Sequence, residues 1–224
     1  MQKLEDGIHQ FQANYFASHR ALFEELAETG QRPETLFMTC SDSRVVPTLI
    51  TNVGPGELFI VRNVGNIVPS VERGFVGGVS AAIEYAVEVL QVGNVIVCGH
   101  THCGAIDAIL HPERVAHLPF VSRWLAASSR IPTLIEERYG HLEGEARMTA
   151  AVQENVLVQL ENLRSFDFVA RRLDSGRLKM NGWVFKIATG DVFDYDPVSG
   201  QFLQLGSDER RQRPALGSRP PPAT

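Results

Sequence analysis

The chain has 224 residues, of which 44% are apolar, and its formal net charge is −5. This composition is enough for the core of one α/β domain, and the negative charge argues against nucleic acid or an anionic membrane as a partner. No apolar run approaches the ~20 residues of a membrane-spanning helix, and no secretory signal is evident. We therefore expect a soluble, cytoplasmic protein that acts on a small substrate.

The first predicted element is a helical arm over residues 1–30. Leu4, Ile8, Phe11 and Tyr15 recur at helical spacing, and Gly30 ends the pattern. The apolar face of such an arm can pack on a partner subunit or on its own domain, and the pattern fits both equally well.

The following segments predict a mostly parallel sheet. Short apolar runs at 35–40, 57–61 and 94–98 are typical of buried strands, and a helical pattern over 76–90 separates the last two. Strand, helix and strand in this order indicate an α/β fold, with a central, mostly parallel sheet flanked by helices.

The second half predicts further helices and a hairpin. The segment 119–139 reads as helical with a break at Pro132, the segment 145–163 as one strong helix, and 183–187 with 192–195 as a hairpin. Residues 1–205 are expected to form a single domain. The Pro- and Arg-rich segment 206–224 is expected to be a disordered tail.

Three cysteines and one histidine give the first indication of chemistry. Cys40 ends the first predicted strand, and His100 and Cys103 follow the third. Because the carboxyl ends of parallel strands meet at one edge of a sheet, these side chains can converge. Two thiolates and an imidazole suit zinc, and three ligands are typical of a catalytic site. The alternative is that the cysteines are merely buried, which is the expected state of Cys98.

Asp42 and Arg44 flank the first of these ligands. Alternate residues of an extended turn project in the same direction, and the Arg fork fits a carboxylate. Paired in this way, Asp42 stays ionised and can accept a hydrogen bond from a water on the metal. The alternative is an ion pair that only caps the turn.

Four segments resemble one known family in order and spacing. Cys40-Ser-Asp-Ser-Arg-Val45, Val61-Arg-Asn-Val64, Ala81-Ala-Ile-Glu-Tyr-Ala-Val87 and Cys98-Gly-His-Thr-His-Cys-Gly-Ala105 match β-class carbonic anhydrases. The resemblance extends over about residues 1–197. The members that the chain resembles include bacterial and cyanobacterial ones, among them the carboxysomal type.

The resemblance implies reversible, zinc-dependent hydration of CO₂ to bicarbonate in a homodimer or larger homo-oligomer. It implies one Zn²⁺ per subunit, held by Cys40, His100 and Cys103, and an Asp42–Arg44 dyad that orients the hydroxide on the metal. It also implies a substrate pocket. In plant-like members a Gln nine residues before the first ligand reaches across the dimer to the substrate, and Gln31 stands at that position here. The implied pocket residues are Gln31, Val45, Phe59, Val64, Tyr85 and Gly104.

Two other functions remain open from the sequence. Hydrolysis of COS or CS₂ would use the same ligands, and a zinc-stabilised, carboxysome-associated binding module would use no catalysis. A carboxysome protein is accordingly an expected contact. The Asp42–Arg44 pair argues against the non-catalytic reading, since a structural zinc needs no such acceptor.

Overall fold

A computed structural model describes residues 1–71 and 77–206 of the chain. Its centre is a six-stranded sheet in the order β2-β1-β3-β4-β5-β6. The strands are β1 (Thr35–Cys40), β2 (Leu58–Asn63), β3 (Asn94–His100), β4 (Lys179–Phe185), β5 (Val192–Asp196) and β6 (Gln201–Gln204). The predicted α/β fold with a mostly parallel sheet is confirmed.

The parallel half of the sheet positions the predicted metal ligands. β1 pairs in parallel with both β2 and β3, and Thr39 stands opposite Cys98. Cys40 and His100 therefore end two adjacent strands at the same sheet edge. Five of the six residues of β1 are buried, which explains why an unbroken apolar run forms a strand here.

The second half of the sheet adds one parallel and two antiparallel strands. β4 pairs in parallel with β3, whereas β5 pairs with β4 and β6 with β5 in antiparallel fashion. The β4–β5 pairing confirms the predicted hairpin. β6 was not predicted from the sequence, and its pattern of exposed and half-buried residues is that of an edge strand.

Nine α-helices lie within the described residues. They are α1 (Gln2–Gln10), α2 (Arg20–Thr29), α3 (Pro47–Thr51), α4 (Gly78–Glu84), α5 (Gly104–Leu110), α6 (Pro119–Leu125), α7 (Arg130–Tyr139), α8 (Gly144–Arg164) and α9 (Asp167–Asp174). A π-helical segment, Tyr85–Val89, continues α4. None of these helices has the length and apolar character that crossing a bilayer requires.

The predicted break at Pro132 is wrong. Pro132 lies in the first turn of α7, and the interruption falls earlier, in the 3₁₀ turn Ala126–Ser128. Proline is tolerated in a first turn, because the backbone N–H that it lacks would have no helical partner there.

Helix α8 packs closely on the strand that carries a predicted ligand. A Cβ placed on Gly99 would lie 2.9 Å from Val156 Cγ2 and 3.2 Å from Val152 Cγ1. Only glycine permits this approach without a shift of the helix. The contact fixes the end of β3 immediately before His100.

The N-terminal arm is helical but interrupted. A π-helical segment, Phe11–Phe16, follows α1, and α2 begins only at Arg20. Neither α1 nor α2 contains a buried residue. The expected packing of this arm on a dimer partner stays a prediction. The expected tail lies, apart from Gly206, outside the described residues, as does the start of the predicted helix at 76.

Candidate metal centre

Three side chains converge at the carboxyl edge of the sheet. The candidate ligand atoms of Cys40, His100 and Cys103 all lie within 4.8 Å of one another, and the two sulfurs are 4.0 Å apart. All three residues are buried, at 5%, 0% and 2% exposure respectively. The structure thus brings together the three residues that the sequence pointed to. Cys98 is buried in β3 and belongs to no such group in the described part of the chain.

The histidine is oriented as a ligand. Its Nδ1 lies 2.9 Å from the Thr101 carbonyl oxygen, which can only accept, so Nδ1 carries the proton. The other nitrogen, Nε2, is then a free lone pair. It is buried and has no hydrogen-bond partner among the described residues. A buried, unsatisfied ring nitrogen next to two sulfurs is what a metal ion would satisfy.

The two sulfurs affect each other's acidity strongly. The neighbouring Cys103 thiol is the main cause that lowers the pKa of Cys40 to about 4, assisted by His100 and the Gly65 amide and opposed by burial. The Cys40 sulfur and burial raise the pKa of Cys103 well above its ordinary value. Two thiolates at this separation repel each other, so full deprotonation of the pair requires a cation between them.

Asp42 and Arg44 form a two-pronged pair beside these ligands. Arg44 Nε donates to Asp42 Oδ1 at 2.9 Å and Nη2 to Oδ2 at 2.7 Å, and the Arg44 amide also donates to Oδ1 at 3.0 Å. These bonds hold the pKa of the Asp42 carboxyl well below its usual range. Asp42 Oδ2 lies 3.8 Å from His100 Nε2, so the carboxylate borders the ligand group.

Two arginines join the loops that carry the ligands. Arg44 Nη2 donates to the His102 carbonyl at 3.1 Å, which connects the loop after β1 to the loop after β3. Arg62 on β2 donates to the Cys40 carbonyl at 3.1 Å and to the Asp42 carbonyl at 2.7 Å. Sequence reasoning assigned no role to Arg62. Its signals in the sequence are its place in the matched segment Val61-Arg-Asn-Val64 and its charge near the end of a mostly apolar strand.

The segment after β2 is fastened to helix α8. Asn155 Nδ2 donates to the Gly65 carbonyl at 3.1 Å, and the Val68 amide donates to Gln159 Oε1 at 2.8 Å. Asn162 Nδ2 reaches the Val68 carbonyl at 2.8 Å. We call Asn155, Gln159 and Asn162 the amide ladder. Since Gly65 N donates to Cys40 Sγ at 3.4 Å, the amide ladder holds in place a segment that contacts one candidate metal ligand.

The predicted pocket residues fall into two groups. Val45 is buried just beyond the Asp42–Arg44 pair, Val64 is exposed next to Gly65, and Gly104 begins α5 directly after Cys103. By contrast, Phe59 and Tyr85 contact each other, with ring centroids 6.0 Å apart, and Phe59 stands opposite Leu36 on β1. Gln31 is exposed before β1 begins.

The second group lies away from the metal ligands of its own chain. Phe59 pairs with a residue four positions before Cys40, which places it about 13 Å along the strand from the ligand. Gln31 precedes β1, whereas Cys40 ends it, so the strand alone separates the two by about 17 Å. These residues do not join the site within one chain.

Comparisons with known proteins give one consistent result. The family model described as carbonic anhydrase matches residues 35–192. The carbonic anhydrase of Pseudomonas aeruginosa is 44% identical over 222 residues, which cover 98% of both chains. Both spans include all three candidate ligands.

Solved structures agree in fold. The β-carbonic anhydrase CcaA superposes with a TM-score of 0.88 at 44% identity, over 91% of this chain and 98% of that one. A structure from Sordaria macrospora, described as a tetrameric β-carbonic anhydrase, has a TM-score of 0.74 at 26% identity, over 92% and 96% of the two chains.

Proposed function

The chain belongs to the β-class carbonic anhydrase family, and on that premise we propose that it hydrates CO₂ reversibly to bicarbonate with Zn²⁺ held by Cys40, His100 and Cys103. Family membership confirms the predicted enzyme class. The observation that carries the proposal is the convergence of three buried donor atoms within 4.8 Å, beside an Asp carboxylate held by Arg44.

The donor set fits zinc. Two sulfurs and one imidazole nitrogen are ligands that Zn²⁺ prefers, and three protein ligands leave a position for water or substrate. One divalent cation would satisfy the free Nε2 of His100 and would offset the repulsion between the two sulfurs. When bound, zinc acts as a Lewis acid that makes hydroxide available from water near neutral pH.

The Asp42 carboxylate orients the attacking water. It is ionised across the neutral range, and the bonds from Arg44 hold its pKa still further below that range, so it can only accept a hydrogen bond. An acceptor at a fixed position aligns the nucleophile's lone pair with the CO₂ carbon. Arg44 also occupies both carboxylate oxygens, which keeps Asp42 from turning toward the ligand group and blocking it.

The near pocket is apolar, as a substrate without charge or strong dipole requires. Val64 supplies exposed aliphatic surface, whereas Val45 is fully buried. The backbone N–H at the start of α5 supplies a donor at Gly104. A Cβ placed on Gly104 would meet nothing within 4 Å, so no side chain crowds the Cα of this residue. A donor there would stabilise the oxygen of the forming bicarbonate.

A second copy of the chain completes the pocket. Gln31 precedes β1, Phe59 lies on β2 far from its carboxyl end, and Tyr85 packs against Phe59. A partner related by a two-fold axis can present these residues to the facing site. Homo-oligomeric relatives support this arrangement. Gln31 would then hydrogen-bond the substrate, and the two aromatic rings would close the pocket.

The N-terminal arm supports the same arrangement. Leu4, Ile8, Phe11 and Tyr15 are 64%, 55%, 44% and 41% exposed, although they form one helical stripe. An apolar stripe of this kind is stable in water only when it is covered, and a neighbouring subunit is the expected cover. Contact with a carboxysome protein stays a prediction.

The test is stopped-flow CO₂ hydration by metal-analysed protein. We expect about one zinc per chain and catalysis that is lost on chelation and restored by Zn²⁺. Protein that contains stoichiometric zinc but hydrolyses COS and leaves CO₂ unchanged would overturn the substrate. Protein that binds no zinc would overturn the site.

A further inference from the structure

We propose that Trp124 is a positioning residue of the metal centre: its indole N–H orients and polarises the peptide group that donates a hydrogen bond to Cys40. The inference rests on the proposed function, because Cys40 matters in this way only as a metal ligand. Nothing in the sequence near Trp124 signals such a role, since the residue lies on α6, 60 positions away from its acceptor.

Two hydrogen bonds meet on one peptide group. Trp124 Nε1 donates to the Val64 carbonyl oxygen at 2.7 Å, and the Gly65 amide donates to Cys40 Sγ at 3.4 Å. The Val64 C=O and the Gly65 N–H are opposite ends of the same planar unit. A donor at the carbonyl end withdraws charge and makes the N–H a stronger donor, by about 10–30% per bond in a cooperative chain.

The peptide is held in this orientation from both sides. Gly65 has a φ of +83°, and a Cβ there would lie 3.0 Å from Ala105 Cβ, so glycine is needed at this position. The next carbonyl, that of Gly65, accepts from the fully buried Asn155 at 3.1 Å. Asn155 on α8 holds the Gly65 carbonyl and Trp124 on α6 holds the Val64 carbonyl. The Gly65 N–H between them therefore cannot easily turn away from the Cys40 sulfur.

The hydrogen bond reduces the negative charge that Cys40 gives to a metal. A thiolate that accepts an N–H bond donates less to the cation, which leaves the cation a stronger Lewis acid. Loss of the indole N–H should therefore make the sulfur more electron-rich and the metal less acidic. If the role of Trp124 were purely structural, its replacement would change the stability of the protein and leave the electronic properties of the Cys40 sulfur as they are.

Cobalt substitution separates these two roles. Trp124→Phe keeps an aromatic ring and removes the N–H. Because the sulfur becomes more electron-rich, we expect the sulfur-to-cobalt charge-transfer band of the Co²⁺-loaded protein to move to longer wavelength. We also expect the pH midpoint of CO₂ hydration by the zinc-loaded variant to rise.

The second tryptophan provides a matched control. The chain has two tryptophans, and the indole nitrogen of Trp183 is buried with no hydrogen-bond partner among the described residues. Trp183→Phe therefore removes an N–H that donates to no described residue. The sulfur-to-cobalt charge-transfer band of this variant should keep its wavelength. In this background, 5-fluorotryptophan incorporation alters position 124 alone, and its more acidic N–H should shift the band to shorter wavelength.

The outcomes are distinguishable. A wild-type protein that binds no Co²⁺ would overturn the metal centre and this inference with it. A wild type that binds Co²⁺, with the same band in Trp124→Phe and in the fluorotryptophan protein, would overturn the inference alone. The fluorotryptophan experiment decides the matter even when Trp124→Phe fails to fold.

Discussion

Asp42 and Arg44 are joined through both carboxylate oxygens, with Oδ2 lying 3.8 Å from the free ring nitrogen of His100. The pair is partly accessible, with side-chain exposures of 17% for Asp42 and 48% for Arg44. An exposed ion pair contributes little to stability, so its fixed geometry at the edge of a buried donor group points to a chemical role.

Replacing Asp42 by Asn should separate metal binding from catalysis. The amide keeps the shape of the carboxylate but loses its charge and presents a donor where an acceptor is needed. We expect zinc content to stay near one per chain and kcat to fall by roughly 10- to 100-fold. Metal analysis and stopped-flow hydration measure the two quantities. Glu161→Gln, which removes the carboxylate of the exposed Arg130–Glu161 pair, should change neither.

Replacing Arg44 by Met tests the pH behaviour of Asp42. Arg44 lowers the pKa of Asp42 in the folded state. The pair therefore stabilises the folded protein fully above the unfolded-state pKa, which is about 3.9. This stabilisation is lost as the pH falls toward the lower folded-state pKa. The difference in urea midpoint between wild type and variant should therefore shrink between pH 6 and pH 3.

The same variant should lose hydration by a factor that does not change between pH 7 and pH 9. Without Arg44, Asp42 is still ionised in that range, so the variant loses position rather than charge. Arg114→Met, which breaks another Asp–Arg pair, is the control and should retain activity. An activity loss that disappears at alkaline pH would show that the protonation of Asp42 had changed, against this account.

Substitutions of Cys103 and Cys98 should affect zinc binding differently. Cys103→Ala removes a donor from the ligand group, and we expect zinc affinity to fall by several orders of magnitude, since two ligands hold zinc poorly. Cys98→Ala removes a sulfur of similar burial, whose pKa burial raises to about 12 and which lies outside the group. This control should keep its zinc and most of its activity. Equilibrium dialysis against Zn²⁺ measures both.

The sequence predicts the parts of this molecule that depend on local pattern. The runs that form β1 and β3 are visible because strands buried on both faces must be apolar throughout. Cys40 and His100 could be placed together because parallel strands end at one sheet edge. The short helices α5 and α9, of seven and eight residues, were missed, since two turns carry too little periodicity to predict a helix.

The contacts that orient the ligands could not be predicted in this way. Arg62, Trp124 and Asn155 act on backbone groups that lie 20, 60 and 90 residues away in the chain. No local pattern encodes which carbonyl a side chain will reach after folding. The division of the predicted pocket into a near and a distant group likewise depends on the strand register, which brings Phe59 opposite Leu36.

Gln159 should be important for stability, although it does not touch the metal ligands. It is fully buried, accepts from the Val68 amide, and donates to Ser128 Oγ at 3.2 Å and to Asn155 Oδ1 at 2.9 Å. Gln159→Leu would leave these groups unsatisfied, and we expect a loss of about 3 kcal/mol in the free energy of unfolding.

Urea denaturation of the metal-free protein measures this loss. Gln153→Leu, at a half-buried position of the same helix, should change the free energy of unfolding by less than about 1 kcal/mol. Equal effects of the two substitutions would mean that the amide ladder does not hold the segment that carries Gly65.

The assignment of pocket residues to two copies of the chain predicts complementation. Gln31→Ala and Asp42→Asn each disable every site of their own homodimer. In a hybrid dimer one site receives both defects and the other neither. Random 1:1 mixing makes half of the dimers hybrids, each with half of its sites intact, so about one quarter of wild-type activity should return.

Co-expression with two affinity tags isolates the hybrids for stopped-flow assay. Mixing Asp42→Asn with Cys103→Ala is the matched control, because both residues belong to the same site of one chain and no hybrid site is free of a defect. That mixture should gain nothing. If Gln31→Ala and Asp42→Asn hybrids are inactive, Gln31 serves the site of its own chain. If Gln31→Ala is fully active by itself, Gln31 serves no site. An own-chain role would contradict the separation of about 17 Å that the length of β1 places between Gln31 and Cys40.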